Sequence, residues 1–428
     1  MFCKQVLRTI LISKHTYAMD SSNKLETVLA KVDPRSISFS KQAHISGEEP
    51  IITDLETKNN IIKAAKILSG TNETVAFPTE TVYGLGGSSM NDESVKNIYK
   101  AKNRPSDNPL ISHVSSIKQI DEVIYGLEHD LNNPLKNIPV NYHSIIDKLW
   151  PGPLTILLPI QISNGTTKVE AKLSKLTTGN QSTFAVRLPG NDIARALIHY
   201  ANVPVAAPSA NTSTKPSPTS ASHVYFDLNG KTAMILDGGD CSIGVESTVL
   251  DCVTEKDKIL LLRPGGFTKE DIEKITKREV KVECVLKSNE QKVRTPGMKY
   301  KHYAPKCKVV LFSPEECHLD KVVDEINDRI KLSKKEIDHS LKVGILSYKY
   351  FDGIDTEELN IEKDDQLIVK KLGNDLKQMQ KNIFKELREL DDIENIDLLF
   401  IEGVSEELEG LAIMNRLSKS AGSDIVSF

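Results

Sequence analysis

Two basic residues next to a proline are the first candidates for chemistry in this sequence. Lys102 and Arg104 lie two positions apart in KNRPSDNPLISH, a segment whose prolines favour an extended loop. A lysine ammonium and a forked arginine guanidinium aimed at one point would suit a polyphosphate. The alternative is a solvated surface pair, and the residues alone leave both open.

Arg187 is a charge inside the otherwise apolar strand FAVRLP. A buried guanidinium requires a partner, which is either a structural carboxylate or an anionic ligand. His113 ends the apolar strand LISH, where a lone histidine is either a satisfied structural group or a ligand. The sequence does not decide between these alternatives.

Three further segments combine polar side chains with Gly and Pro, as functional loops do. They are PTETVYGLGG (78–87), APSANTSTKPS (207–217) and GVEST (244–248). Ser209 and Asn211 could be ligands or residues that bond their own turn, and Glu80 and Glu246 could hold a metal or a turn. GLGG lacks the spacing and the Lys-Ser/Thr ending of a P-loop, so any ATP site is of another kind.

The elements that must position these residues alternate irregularly between helix and strand, which predicts an open α/β sheet with parallel and antiparallel pairs. Asn91 is expected to cap a helix through Tyr99. The predicted strands are Thr74-Phe77, Leu110-Val114, Leu154-Pro159, Phe184-Pro189, Pro204-Ala207, Met234-Leu236, Thr248-Asp251 and Lys258-Leu262.

A second domain follows a linker. Apolar periodicity disappears between residues 287 and 306, and three βα units then predict a small parallel, Rossmann-like sheet without a dinucleotide fingerprint. One long helix is expected to carry Ile368, Leu372, Leu376, Met379, Ile383, Leu387 and Leu390 on one face. The predicted limits are 1–50 for an N-terminal extension, 51–286 for the first domain and 307–428 for the second.

Composition limits the possible functions. A chain of 428 residues with 39% hydrophobic and 27% charged residues should fold as two domains, and its net charge of -4 offers no overall attraction to nucleic acid. The six cysteines form no Cys-x-x-Cys pair, which argues against a zinc ribbon and fits a reducing compartment. No apolar run reaches the length of about 18 residues that a membrane span requires.

The first 19 residues contain basic but no acidic side chains. This composition fits a mitochondrial presequence, and Met19 could start a cytoplasmic form without it. The alternative is a tail with no targeting role.

Eight motifs in order resemble the YrdC-like family of threonylcarbamoyl-AMP synthases. They are FPTETVYGLGG, KNRPSDNPLISH, LWPGPLTILLP, FAVRLP, AAPSAN, ILDGG, GVESTV and LLRPGGFT, covering about residues 55 to 275. RTPGMKYKHYAP and IEGVSEELEGLAIMNRLSKSA resemble the long, two-domain form. The resemblance implies a YrdC-like catalytic domain that joins L-threonine, bicarbonate and ATP as threonylcarbamoyl-AMP, with release of pyrophosphate.

The resemblance also implies roles for individual residues. The catalytic signature falls on Lys102, Arg104, Ser209 and Asn211. The expected ATP contacts are Arg104, Asn108, Ala185, Ser209, Ser217, Arg263 and, from the linker, Tyr300. The expected threonine contacts are Thr81, His113, Arg187, Ala207 and Ser247. Magnesium would enter with ATP, with no protein ligand assigned, and the product would pass to a downstream threonylcarbamoyl-transferase that modifies tRNA.

One residue departs from the pattern of the family, and two alternative functions are also considered. Leu408 stands where the family resemblance leads us to expect glycine, so the loop there should be less permissive. The first rival is a binding module for double-stranded RNA or tRNA without chemistry. The second is a carbamoyl-adenylate enzyme of hydrogenase maturation, but the acylphosphatase-like part and zinc-finger cysteines of that system are missing from this sequence.

Overall fold

The first domain is built on one large twisted sheet. The computed structural model describes residues 25–106, 108–164, 167–283, 302–313 and 318–427. The strands of this domain, in chain order, are β1 (Val28–Lys31), β2 (Ile37–Ser38), β3 (Ile51–Ile52), β4 (Val75–Phe77), β5 (Gly84–Ser88), β6 (Ile111–His113), β7 (Leu154–Pro159), β8 (Gln161–Asn164), β9 (Thr167–Glu170), β10 (Thr183–Arg187), β11 (Val205–Ala206), β12 (Met234–Asp237), β13 (Thr248–Asp251), β14 (Ile259–Arg263) and β15 (Val280–Val282).

The large sheet is mixed, as the sequence predicts. Its eleven described strands lie in the order β1-β12-β4-β5-β11-β6-β10-β7-β13-β14-β15. It contains parallel pairs such as β6 with β10 and antiparallel pairs such as β10 with β7. The pairs β2-β3 and β8-β9 form two small separate sheets.

Helices cover the faces of this sheet and bury its apolar side chains. Asn91 caps the helix after β5, as expected, because its side chain accepts from the backbone N–H groups of Glu93 and Ser94. The α-helices of this domain are Ala43–Ser46, Leu55–Gly70, Asp92–Lys102, Ile117–Gln119, His143–Leu149, Lys175–Thr178, Asp192–Ala201, Ala221–Leu228 and Lys269–Thr276.

Two features of the first domain differ from the sequence prediction. Strand β1 pairs with β12, so the sheet begins well before the predicted boundary at residue 51. The segment 78–87, predicted to be a loop, ends in strand β5, and its glycines allow close packing there. A Cβ added at Gly86 would lie 2.8 Å from side-chain atoms of Phe77 and Val205. The glycines of the GLGG sequence therefore allow a strand to pack closely against its neighbours.

The second domain is a parallel, Rossmann-like sheet, in agreement with the prediction. Its strands are β16 (Lys308–Phe312), β17 (Lys342–Ser347), β18 (Gln366–Lys371), β19 (Leu398–Glu402) and β20 (Ile425–Val426), and its α-helices are Leu319–Glu336, Leu376–Arg388 and Glu409–Ala421. The order is β18-β17-β19-β16-β20, with parallel pairing throughout.

The single long helix predicted from Ile368 onward is wrong. Ile368 lies in β18, paired with Gly344 of β17, and the helix begins only at Leu376. Gly373 and the N-cap Asp375, whose side chain accepts from Gln378 N, separate the two elements. The regular spacing of apolar residues continues from the strand into the helix because both elements bury their apolar residues against the same core.

A shared hydrophobic core joins the two domains. Val82 and Val245 of the first domain and Tyr303 of the connecting segment pack in one cluster with Met379 and Phe384 of the second domain. The rings of Tyr303 and Phe384 have centroids 5.1 Å apart. The domains therefore meet through a packed apolar surface.

Several sequence predictions lie outside the described residues. These are the presequence within 1–19, Tyr300, and the linker up to residue 301. Among the helices that the structure describes, none combines the length and apolar character needed to cross a membrane.

Leu408 has the left-handed backbone that a glycine would adopt without strain. Its φ is 50° and its ψ is -128°, directly before the helix Glu409–Ala421, and the residue is 50% exposed. A Cβ in this region costs about 1–3 kcal/mol. The departure noted in the sequence therefore coincides with backbone strain.

We predict that Leu408→Gly raises the free energy of unfolding by about 1 kcal/mol, because relief of strain exceeds the added entropy of an unfolded glycine. Urea unfolding measures the change. Leu332→Gly is the matched control, since Leu332 is 51% exposed but lies inside a helix. That control should lose about 1 kcal/mol, and a loss of stability in both variants would contradict the assignment of strain.

Candidate active site

A cleft opens where the first domain meets the second. It encloses about 570 Å³ including its open mouth, which is within the range of small-molecule sites. Its walls come from several segments that are distant in sequence. The lining residues are Thr79, Thr81, Val82, Gly84, Arg104, Ile111, His113, Arg187, Ala207, Pro208, Ser209, Glu246, Ser247, Arg263, His302 and Tyr303.

Strand register places His113 and Arg187 side by side in the cleft. The two residues are partners in the parallel pair of β6 and β10, and each is the last residue of its strand. Arg187 is only 4% exposed. Its Nη1 donates to Thr81 Oγ1 at 2.9 Å, and its Nε donates to Gly152 O at 3.4 Å.

Glu80 supplies the structural partner of Arg187. Its Oε1 lies 2.7 Å from Arg187 Nη2, close enough for an ion pair, although the N–H does not point along a hydrogen bond. Gly190 N donates to the same oxygen at 3.1 Å. Arg187 therefore has the structural carboxylate partner that the sequence allowed, and it also lines the cleft, where the ligand role stays a prediction.

His113 enters the cleft as a neutral imidazole. Burial, together with the adjacent Arg187 charge, lowers the pKa of His113 to about 3. Its Nδ1 lies 3.2 Å from Ile111 O, which fits a proton on that nitrogen. The remaining nitrogen, Nε2, is then an acceptor at neutral pH.

Lys102 is placed behind the cleft wall, whereas Arg104 lines the cleft. The helix ends at Lys102, and Asn103, at a φ of 51°, turns the chain. The Lys102 ammonium is 2% exposed and donates to Ser209 O, to Asn211 O at 2.6 Å and weakly to Asn211 Oδ1 at 3.5 Å. Burial lowers the pKa of Lys102 well below its usual value. The solvated-pair alternative is wrong for this residue.

The loop from Ser209 to Ser217 is held by its own side chains as well as by Lys102. Asn211 Nδ2 donates to Thr212 O and Lys215 O, each at 2.9 Å. Ser217 Oγ donates to Glu246 Oε1 at 2.6 Å. Within this loop only Ser209 lines the cleft, while Asn211 and Ser217 fix its shape.

Arg263 and Glu246 form the opposite wall. Arg263 donates from Nε to Ser247 O at 3.1 Å and from Nη2 to Ser247 Oγ at 3.0 Å. Burial lowers the pKa of Arg263 to about 10. Burial alone would raise the pKa of Glu246, but Arg416 and Arg263 outweigh it and lower the value to about 2. Glu246 is therefore a carboxylate.

The structure brings most, but not all, of the residues selected from the sequence into one cleft. Those in its lining are Thr81, Arg104, His113, Arg187, Ala207, Ser209, Ser247 and Arg263. Those outside the lining are Lys102, Asn108, Ala185, Asn211 and Ser217. Ala185 belongs to an apolar cluster with Ile111 and Leu157 beneath the floor, and the buried Asn108 Oδ1 has no hydrogen-bond partner.

Two residues of the connecting segment were missed. His302 and Tyr303 line the cleft from the side opposite the large sheet, whereas sequence reasoning chose Tyr300 of the same KYKHY run. Burial, with Arg104 nearby, lowers the pKa of His302 to about 4, so its ring is also neutral. The high density of aromatic and basic residues in this run is the feature of the sequence that could have indicated His302 and Tyr303.

The cleft is suited to anions. Three guanidinium groups, those of Arg104, Arg187 and Arg263, face the same space as the single lining carboxylate of Glu246, which Arg416 already pairs. Across the described residues, no group of three His, Cys, Asp or Glu side chains converges in metal-binding geometry. Fixed cations with reduced access to water stabilise negative charge strongly.

Comparisons with known proteins agree with this geometry. Residues 67–265 match a family model described as "Telomere recombination", and residues 267–422 match the model for the C-terminal domain of threonylcarbamoyl-AMP synthase. The threonylcarbamoyl-AMP synthase of Schizosaccharomyces pombe is 42% identical, covering 93% of this chain and 98% of the relative. That of Bacillus subtilis is 38% identical, covering 88% of this chain and 97% of the relative.

A solved structure extends the similarity to three dimensions. The crystal structure of Pyrococcus abyssi Sua5 complexed with L-threonine has a TM-score of 0.73 and 37% sequence identity. The alignment covers 94% of this chain and the whole of the other. The two-domain architecture is thus shared along the chain.

We predict that Lys102→Met lowers the free energy of unfolding by about 2–4 kcal/mol. Methionine keeps the apolar stem but leaves buried carbonyls without a donor. Chemical denaturation measures the loss. Lys100→Met is the matched control, since Lys100 is exposed on the same helix and should change stability by less than about 0.5 kcal/mol. Similar losses in both variants would contradict the role of the Lys102 ammonium.

Proposed function

Since the chain belongs to the threonylcarbamoyl-AMP synthase family, we propose that it is an L-threonylcarbamoyladenylate synthase acting in the cleft described above. The reaction joins L-threonine, bicarbonate and ATP to give threonylcarbamoyl-AMP, pyrophosphate and water. The observation that carries the proposal is the convergence of Arg104, Arg187 and Arg263 on one cleft with a neutral His113. Every reactant is an anion or carries a carboxylate, so a site with excess fixed positive charge suits all three.

Arg187 is the residue we assign to the threonine carboxylate. Its guanidinium is held by Thr81, Gly152 and Glu80 and cannot swing away, so its fork is already oriented. Thr81 and Ser247 present hydroxyls close by, which suit the ammonium and hydroxyl of threonine. His113 Nε2 and the Ala207 methyl complete this end of the cleft in our assignment.

Arg104 and Arg263 are the residues we assign to the ATP phosphates. Arg104 follows the helix end, and Arg263 ends β14 on the other side of the cleft, so together they can reach different oxygens of one triphosphate. Ser209, Asn108, Ser217 and Ala185 complete the proposed nucleotide side, the last three from behind the lining. Magnesium enters as part of MgATP.

The proposed chemistry needs orientation and charge stabilisation more than a nucleophilic side chain. The threonine ammonium first loses a proton to solvent, and the resulting amine attacks the bicarbonate carbon and releases water to form a carbamate. A carbamate oxygen then attacks the α-phosphorus, and pyrophosphate leaves with the electron pair of the broken P–O bond. Fixed arginines stabilise the charge that accumulates on the phosphoryl oxygens without having to reorient.

We further propose that the product passes to a separate threonylcarbamoyl-transferase that modifies tRNA, and that any contact of this chain with tRNA is weak. A net charge of -4 supports this division, because tight RNA binding requires many phosphate contacts. The basic, acid-free residues 1–19 support a pool of the protein in mitochondria beside a cytoplasmic one.

Mass spectrometry of the reaction product tests the function. Threonine, bicarbonate and MgATP together should give threonylcarbamoyl-AMP and one equivalent of pyrophosphate, and omission of any one should abolish both. Serine is the competing substrate. Salt-sensitive RNA binding with no pyrophosphate release would instead support the non-catalytic alternative.

We predict that Arg187→Lys raises the KM for threonine about 10- to 100-fold and the KM for ATP less than about threefold. Lysine keeps the charge but loses the bidentate fork, which is worth about 1.5–3 kcal/mol. Steady-state kinetics in each substrate measures both values. The matched control is Arg195→Lys, because Arg195 is also buried but packs on Phe39, away from the cleft. Equal rises in both KM values would contradict the assignment of Arg187 to threonine.

A further inference from the structure

Two arginines of the second domain are buried at the junction between the domains. Arg388 is 2% exposed and Arg416 is 0% exposed. A guanidinium removed from water must find several oxygen partners. For both residues, most of these partners belong to the first domain, in or beside the segments that form the cleft.

Arg388 holds the end of the loop from Ser209 to Ser217. Its Nε donates to Pro216 O at 2.9 Å, and its Nη2 lies 2.7 Å from Asp227 Oδ2. That Asp227 oxygen also accepts from Thr212 N at 3.2 Å. The second domain therefore contacts this loop directly at one point and through Asp227 at another.

Lys215, within the same loop, extends this ionic contact. Its Nζ lies 3.1 Å from Asp227 Oδ1 and 3.0 Å from Asp392 Oδ1. Asp392 belongs to the second domain and is paired with Arg388 at 3.2 Å. Two cations and two carboxylates thus alternate across the junction, with each domain supplying one of each.

Arg416 holds the opposite wall. Its Nε and Nη2 lie 3.1 and 2.9 Å from Glu246 Oε2, and its Nη1 donates to Pro264 O. The other Glu246 oxygen accepts from Ser217 Oγ at 2.6 Å. Arg416 therefore connects the two walls of the cleft through one carboxylate.

We infer that Arg388 and Arg416 are positioning residues, through which the second domain sets the loop from Ser209 to Ser217 and the wall of Glu246 and Arg263 in their reactive arrangement. This inference rests on the proposed function for the identity of the nucleotide. Neither arginine lines the cleft, so neither is assigned a contact with substrate. Their effect runs through Pro216, Glu246 and Ser217.

The geometry also predicts which end of the cleft should be affected more when these contacts are lost. The segments that these arginines reach carry three residues proposed for the nucleotide, Ser209, Ser217 and Arg263, and one proposed for threonine, Ser247, whereas Arg187 is fixed entirely by residues of the first domain. Loss of either contact should loosen the nucleotide end of the cleft more than the threonine end. A small misplacement of positioned groups costs a large factor in rate.

The test compares Arg416→Met, Arg416→Lys and Glu246→Gln in the full-length protein. ATP and threonine affinities are measured separately by calorimetry, and pyrophosphate release gives kcat and KM. We expect Arg416→Met to weaken ATP binding or lower kcat at least tenfold, with threonine affinity within about threefold of the unmodified protein. Arg416→Lys, which keeps the charge, should recover part of the loss.

A double-mutant cycle shows whether Arg416 acts through Glu246. If it does, Arg416→Met combined with Glu246→Gln should be no more than about threefold worse than the more damaging single change. Arg329→Met is the control, because its partners Glu325 and Asp424 both lie within the second domain. It should leave both affinities and kcat within about twofold.

Three results would overturn the inference: losses that multiply in the double variant, equal weakening of ATP and threonine, or an Arg329→Met effect as large as that of Arg416→Met. Thermal unfolding of each variant identifies any that do not fold. If Arg416→Met does not fold, Arg416→Lys carries the same comparison. Failure of the unmodified protein to release threonine-dependent pyrophosphate would instead count against the proposed function, and ATP calorimetry would still test the positioning of the loops.

Discussion

The structure around the cleft depends on buried cations that must be satisfied by oxygen atoms. Lys102 donates to the carbonyls of Ser209 and Asn211, and Arg388 donates to the carbonyl of Pro216, so one loop is held at its two ends by buried nitrogen donors from two domains. Each of these donors is almost fully removed from water. A buried cation without partners is unstable, so the loop and the domain junction stabilise one another.

The same constraint determines the electrostatics of the cleft. Arginines are suited to burial because they keep their charge, while a buried histidine loses its proton. Burial, together with the adjacent Arg187 charge, lowers the pKa of His113 to about 3. Glu246 is held as a carboxylate by Arg416 and Arg263. The result is a set of fixed charges whose ionisation does not change near neutral pH, as charge stabilisation without reorientation requires.

Much of this could be predicted from the sequence, and the failures have physical causes. The sequence alone singled out Arg187, because it is a charged residue within the otherwise apolar strand FAVRLP, and a buried charge requires a partner. The role predicted for Lys102 stays a prediction, but its place behind the cleft wall could not be foreseen, because whether a side chain lines a cleft or supports its wall depends on packing that local spacing does not encode. The helix expected from Ile368 failed because strand and helix shared one buried face. The link between Arg416 and Glu246 spans 170 positions, and no local pattern marks it.

The domain junction gives a physical reason for a two-domain chain. A cleft walled only by the strands and loops of the large sheet would leave its arginines more open to water, where their attraction for an anion is weak. Tyr303 closes the other side of this cleft and packs on Phe384 of the second domain, with the Arg416 guanidinium 5.8 Å from its ring centroid. The second domain thus supplies an apolar support for the cleft wall and also the charges behind its loops. The energy of docking the two domains is therefore coupled to the order of the cleft, because separation of the domains would remove the contacts of Arg388 with Pro216 and of Arg416 with Glu246 but none of those that hold Arg187.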